Sequence, residues 1–245
     1  MSRYATFARY YDRLTRNVDY PKMARKIKEY LQKYRPNSEL LLDLACGTGS
    51  LSVELSKIGV DVIGTDESCE MLSEAIGKNA GLERPVLFLN QGMQDLDLYG
   101  TVDAAVCTLD SINHVTDEKI LNDAFGKVSL FLEPDGVFIF DVNTPYKHEK
   151  ILANETYVYD CEEVYCVWQN STKNGVTQIS LDFFEYEDGM YYRSSETFCE
   201  VAYSDETIVR LLENNKMTVC ARFDDYTEKK AGTTTQRVVY VARKG

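Results

Sequence analysis

The sequence predicts an α/β fold, a doubly wound and mostly parallel sheet, from three observations. Apolar strand-like runs alternate with helical patterns through residues 40–142. The first run, residues 40–44, ends in a glycine turn, Ala45-Cys46-Gly47-Thr48-Gly49, that opens a helix. The next run leads to an acid at its tip, Asp66, nineteen residues after Gly47.

The elements follow in order. Residues 3–34 read as tyrosine-rich helices, with Tyr4, Phe7, Tyr10, Tyr11 and Leu14 at helical spacing. Pro36-Asn37-Ser38 breaks the pattern. Strand one at 40–44 is followed by a helix at 50–58, whose Leu51, Leu55 and Ile58 share one face. Strand two is expected at 60–64, and a helix at 68–78 takes Ser68 as its N-cap. Strands three and four fall at 86–89 and 104–108. A helix at 119–132 closes at the turn signal Glu133-Pro134-Asp135-Gly136, before strand five at 137–142.

After Pro145 the pattern changes. Residues 156–201 show three long β-type runs, with hairpin signals at Asn174-Gly175 and Asp188-Gly189. This predicts an antiparallel sheet inserted after strand five. The expected division is one domain of 1–145 and 202–245, with an insertion at 146–201. A helix at 204–214 turns Ile208, Leu211 and Leu212 inward, and strands at 217–223 and 237–242 end the chain.

Composition bounds the function. The chain has 245 residues, 44% of them hydrophobic, enough for one sizeable core. A net charge of −12 repels phosphate backbones and anionic membranes and disfavours nucleic acid as a partner. No apolar run approaches the roughly 18 residues of a membrane helix. The first ten residues are amphipathic and lack a signal peptide's apolar core. Seven scattered cysteines without a C-x-x-C point to the reducing cytoplasm. With two histidines, no metal site is expected.

The turn at 43–49 and the acid at 66 resemble motif I and the second-strand acid of the class I S-adenosylmethionine (SAM)-dependent methyltransferases, a Rossmann-like fold. A nicotinamide site would show G-x-G-x-x-G, but Ser52 stands at the third glycine position. The likeness extends through Gly64-Thr65-Asp66-Glu67-Ser68-Cys69-Glu70-Met71-Leu72, through Thr108-Leu109-Asp110-Ser111-Ile112-Asn113, and through Leu132 to Val137. The subgroup most similar is the bacterial YqeM-type, alongside small-molecule N-methyltransferases, carried by Phe7-Ala8-Arg9-Tyr10-Tyr11-Asp12.

The resemblance implies SAM as cofactor. Its binding set would comprise Tyr11, Asp43, Ala45, Gly47, Thr48, Gly49, Asp66, Glu67, Met71, Gly92, Met93, Gln94, Asp95, Thr108 and Leu109. Asp66 would accept the ribose hydroxyls. Gly47 and Gly49 would allow close approach, because a Cβ there would strike the ligand. Asp43 would hold the turn or meet the amino-acid end through water. Where the family places an Asp on the adenine amine this chain has Gly92, leaving Asp95 or Gln94 to reach it and Met93 to offer its N–H. Tyr11 either closes over the cofactor or packs its helix on the sheet.

Methyl transfer needs alignment and water exclusion more than acid–base chemistry. His114 is the leading candidate for a base, against a plain helix-start histidine. Asp110 and Asn113 either orient an amine or cap loop N–H groups. His148 reads as surface. The aromatic residues of the insertion, among them Tyr157, Trp168, Phe183, Phe184 and Tyr191, suit a lid touching substrate or the face of a homodimer. The expected activity is methyl transfer to a small-molecule amine or hydroxyl. RNA or protein methylation, and a non-catalytic SAM-binding module, stay open as alternatives.

Overall fold

A computed structural model describes residues 5–245; residue 3 and Tyr4, where the pattern begins the first helix, lie outside the described residues. Helices α1 (Ala5–Leu14) and α2 (Tyr20–Tyr34) lead into β1 (Leu40–Leu44), α3 (Ser50–Lys57), β2 (Asp61–Asp66), α4 (Cys69–Lys78) and β3 (Leu87–Asn90). Next come β4 (Val102–Cys107), α5 (Glu118–Phe131), β5 (Leu132–Asn143) and the short α6 (Pro145–Lys147). Four strands follow, β6 (Thr156–Cys161), β7 (Val164–Lys173), β8 (Val176–Glu187) and β9 (Met190–Val201). The chain ends with α7 (Asp205–Asn214), β10 (Met217–Asp224) and β11 (Arg237–Lys244).

Seven strands form the central sheet in the order β10-β11-β5-β4-β1-β2-β3. β1 to β5 pair in parallel, and β11 runs antiparallel to both its neighbours. β1 lies at the middle of the five parallel strands, and Leu41, Leu42, Asp43 and Leu44 are all buried. An unbroken apolar run is what a strand covered on both faces requires, and Asp43 is its one departure. Strand order reverses between β1 and β4, which opens a crevice at their carboxyl ends, the place where ligands bind in doubly wound sheets. Ser68 caps α4, its hydroxyl accepting from Met71 N at 3.2 Å. The Glu133–Gly136 turn lies within β5 as an irregularity. Pairing with β4 steps from Leu132 to Val137, and Asp135 takes φ +60°.

The second sheet has four antiparallel strands, β6-β7-β8-β9, where the sequence pattern shows three runs. The turn between β6 and β7 uses Glu162 in the left-handed region (φ +52°) and carries neither glycine nor asparagine, so nothing in composition marks it. The other two hairpins turn as expected. Asn174 and Gly175 have φ +53° and +77°, and Asp188 and Gly189 have +49° and +80°, the both-positive pattern of a type I′ turn.

The first helix belongs to this second sheet. Phe7, Ala8, Tyr10 and Leu14 share a core with Val164, Cys166, Ile179, Leu181, Phe183 and Phe198. The Glu196 carboxylate accepts the Thr6 and Phe7 N–H groups at 2.9 and 3.0 Å, an anion at a helix N-terminus. Tyr10 Oη donates to Glu185 at 2.7 Å, and Arg13 pairs with Glu163 at 2.5 Å.

Candidate active site

The turn after β1 passes through the left-handed region three times, at Ala45 (φ +54°), Gly47 (+54°) and Gly49 (+68°). At the neighbouring strand tip Asp66 braces it. One carboxylate oxygen accepts Gly47 N and the other accepts Ser68 N, both at 2.9 Å. Burial pushes the Asp66 carboxyl up, against those two backbone donors, which lower it. Behind the turn, Asp43 is 1% exposed and accepts Ser52 Oγ at 2.5 Å. Burial raises its carboxyl to about 7 despite the serine.

The two glycines serve different ends. A Cβ on Gly47 would meet nothing within 4 Å. One on Gly49 would lie 2.8 Å from both Ala75 Cβ and Phe88 Cζ. The expectation that a Cβ at Gly49 would strike the cofactor is therefore corrected. That glycine lets α3 and α4 pack closely over the Phe88 ring.

A cavity of about 350 Å³ opens above the turn. Ala45, Gly47, Asp66, Glu67 and Met71 form its floor at the strand tips. Gly92, Met93 and Gln94 form one wall and Leu109 another, with Phe7 and Tyr11 of α1 covering it. Its far end is made by Ser111, His114, Val115, Thr116, Asp117 and Ile120. Asp43, Thr48 and Thr108 instead line a small adjoining pocket of about 30 Å³, which shares Tyr11, Ala45, Gly47, Leu109 and Ser111 with the cavity. Asp95 is exposed, accepts from Gln94 Nε2 at 2.8 Å and does not line the cavity. Of the two candidates for the adenine amine, Gln94 is the one that faces it. A ribose-bearing ligand without phosphate suits this floor, which offers an acceptor carboxylate and an open glycine.

The loop after β4 is held by a buried ion cluster. Leu109 and Asp110 both sit at φ +56°. The fully buried Asp141 carboxylate accepts their N–H groups at 2.8 and 2.7 Å and the Tyr226 hydroxyl at 2.5 Å. Arg237 bridges Asp141 and Asp110, the latter at 2.6 Å. Burial raises the Asp110 carboxyl, but Arg237, Lys147 and His114 outweigh it, and the net shift is downward. Asp110 is thus committed to Arg237 and does not line the cavity, which corrects its reading as an amine-orienting group. Asn113 is corrected likewise. It is fully buried, donates to Asn143 O and Val201 O at 3.0 and 2.9 Å, and accepts from Asn143 N at 2.9 Å. With both its N–H bonds used, it clamps two chain segments and orients nothing in the cavity.

His114 does line the cavity, with its ring 5.1 Å from Phe198 and Nε2 3.6 Å from Glu200 Oε1. Burial lowers its pKa, against the raising effect of Asp110 and Glu67. His148, expected at the surface, is fully buried with Nδ1 2.8 Å from Thr177 Oγ1, and burial pushes it down to about 4. Among the described residues, none from 156–201 lines the cavity, which corrects the expectation of direct lid contact. The second sheet reaches the site through α1, through Phe198 and through Glu200. Glu200 and Arg237 escaped the sequence reading, in which His148 reads as surface. The first lies in an alternating strand pattern with another acid, Glu196, four residues before it, and no motif surrounds the other two.

The family described as "Methyltransferase domain" matches residues 41–136. The crystal structure of an S-adenosylmethionine-dependent methyltransferase from Clostridium acetobutylicum is 34% identical, with a TM-score of 0.89 and a match covering 99% of each chain. The putative methyltransferase YqeM of Bacillus subtilis is 29% identical over 98% of this chain and 97% of its own length. A glycine/sarcosine N-methyltransferase of Halorhodospira halochloris is 30% identical over 62% of this chain and 57% of its own. Parallel sheet, glycine turn and full-length likeness agree with the motif resemblance, and the chain belongs to the S-adenosylmethionine-dependent methyltransferases.

Proposed function

We propose that the chain methylates a small-molecule amine that carries no phosphate. One observation carries this reading. The cavity is lined by the carboxylates of Asp66, Glu67 and Asp117 and by His114, and among the described residues no lysine or arginine lines it. A phosphorylated acceptor would bring negative charge against these carboxylates with no cation to receive it. An amine meets charges of the favourable sign. The glycine/sarcosine activity named for one relative fits the same chemistry. The chain's net charge of −12 argues against RNA.

In this reading Asp66 takes the ribose hydroxyls, Gly47 and Ala45 give the backbone approach, and Met71, Gly92, Met93 and Gln94 surround the adenine. When bound, SAM supplies the activated methyl group. Tyr11 and Phe7 exclude water and press the acceptor toward the far end, where His114 receives the proton lost from nitrogen. Residues 146–201 with α1 act as the cover of this domain. Seven unpaired thiols accord with a cytoplasmic setting.

The test is turnover of SAM by the purified chain on a panel of amino acids, polyamines, amino sugars, their nucleotide-linked forms, alcohols and RNA. Release of S-adenosylhomocysteine with unphosphorylated amines is expected. Turnover confined to phosphorylated acceptors, alcohols or RNA would overturn the reading.

A further inference from the structure

Behind His114 the fold buries a carboxylate between two imidazoles. Glu200, at the end of β9, is 3% exposed. Its Oε1 lies 3.6 Å from His114 Nε2, and its Oε2 lies 3.5 Å from Nε2 of the fully buried His148. His148 Nδ1 contacts Thr177 Oγ1 at 2.8 Å, and Thr177 contacts the half-buried Thr172 at 2.8 Å. Glu200 Oε2 and His148 Nε2 are both buried without a hydrogen-bond partner, and they face each other. Two such groups side by side are costly unless a proton lies between them. The nearby charges are already engaged. Arg237 holds Asp110 and Asp141, and Lys147 Nζ donates to Asn143 Oδ1 at 2.8 Å.

We infer that Glu200 is a positioning residue for His114, holding it in the Nε2–H tautomer, and that it is the final proton acceptor of the site. The second half of this inference rests on the amine reading. As the acceptor nitrogen bonds to the methyl carbon, the C–S bond breaks and its electron pair stays on sulfur. The N–H proton passes to His114 Nδ1, and the Nε2 proton passes to Glu200 Oε1. His114 is neutral before and after, and only Glu200 changes charge. His148, with its Nε2–H on Oε2 and its Nδ1 accepting from Thr177, steadies the anionic carboxylate. Separations of 3.5 and 3.6 Å are at the outer edge of hydrogen bonding, and such contacts tighten when a reactive complex forms. A metal held by Asp110, His114 and Glu200 is the competing use of these atoms, which lie within 4.8 Å of one another. Arg237 and Lys147 already supply the local positive charge and disfavour it.

Burial raises the Glu200 carboxyl to about 8, with Asp110 also raising it and Lys147, Arg237 and Asn143 lowering it. The chain has two histidines, so its long-range proton–nitrogen NMR spectrum holds two imidazoles, assigned with His148→Gln. Titrated from about pH 6 to about pH 10, the full-length protein should show His114 as the Nε2–H tautomer on the alkaline side. Both imidazoles should share one inflection near 8. Glu200→Gln should abolish that inflection in both, and Glu200→Asp should restore one. Should Glu200→Gln fail to fold, His148→Gln gives the decisive spectrum. His114 must keep the inflection, moved upward by loss of a donor. An inflection that survives Glu200→Gln, a His114 Nδ1–H tautomer, or no inflection in wild type or in His148→Gln would overturn the inference. No acceptor enters the measurement, so its failure would leave the amine reading standing, and failure of the amine reading would leave the positioning of His114 by Glu200 standing.

Discussion

The Thr48 hydroxyl donates to the Asp12 carboxylate at 2.6 Å, joining the glycine turn after β1 to α1. Ser50 Oγ donates to the same oxygen at 3.1 Å, and Lys78 pairs with the other. The opposite side of α1 is fixed to Glu163, Glu185 and Glu196. Asp12→Ala should therefore release the helix from the turn while leaving it on the second sheet. Affinity for S-adenosylhomocysteine should fall about fivefold, the equivalent of roughly 1 kcal/mol for a half-exposed charged bond. Calorimetric titration measures this, and an unchanged affinity would mean that Tyr11 is held in place without the latch.

The two turn glycines should separate binding from stability. Gly47→Ala has room for its Cβ and should cost only about 1 kcal/mol for the left-handed backbone. Its binding loss should be large, because the new methyl group enters the cavity floor. Gly49→Ala drives a Cβ into Ala75 and Phe88 and should cost roughly 3 kcal/mol or more. Urea unfolding beside ligand titration distinguishes the two. Wild-type stability in Gly49→Ala would contradict the packing argument.

Asp66→Asn keeps the side chain's size and removes its charge. Cofactor affinity should drop tenfold or more, on the scale of roughly 1.5–3 kcal/mol for a hydrogen bond to a charged group. The circular dichroism spectrum should not change. If the ligand binds Asp66→Asn as tightly as wild type, the ribose does not rest on this carboxylate.

Asp43 gives a pH dependence whose sign follows from its burial. The unfolded carboxyl ionises from about pH 4 upward. The folded one resists until about 7. Through that window the folded state holds more protons, so stability falls as pH rises, and it levels off above the folded value. Asp43→Asn lacks this loss. The stability difference between wild type and variant should shift against wild type across the window, by roughly 4 kcal/mol at full extent. Denaturant midpoints measured at several pH values give the two curves, and parallel curves would show that Asp43 ionises normally.

Local patterns made the central sheet legible. Residues 40–44 are apolar but for Asp43 because β1 is covered on both faces, and Ser68 sits where an N-cap must. The turn braced by Asp66 was legible because a glycine turn and an acid at the adjacent strand tip are short-range features. What lay hidden depends on contacts across distant stretches of chain. Glu200 meets His114 and His148 only once the second sheet has docked, and Arg237 reaches Asp110 and Asp141 from the last strand. Asn113 looks like any loop asparagine until Asn143 and Val201 take its amide. The turn at Glu162 went unseen because its left-handed residue is one that ordinarily avoids that conformation.

The attachment of α1 to residues 163–196 also orders events during synthesis. The helix leaves the ribosome before every partner that anchors it there, and those partners lie 150 to 190 positions downstream. A nascent chain halted near residue 150 would hold the parallel strands and the glycine turn with no roof above them. Retention of nucleoside by the growing polypeptide must wait until the final hairpins of the second sheet have emerged.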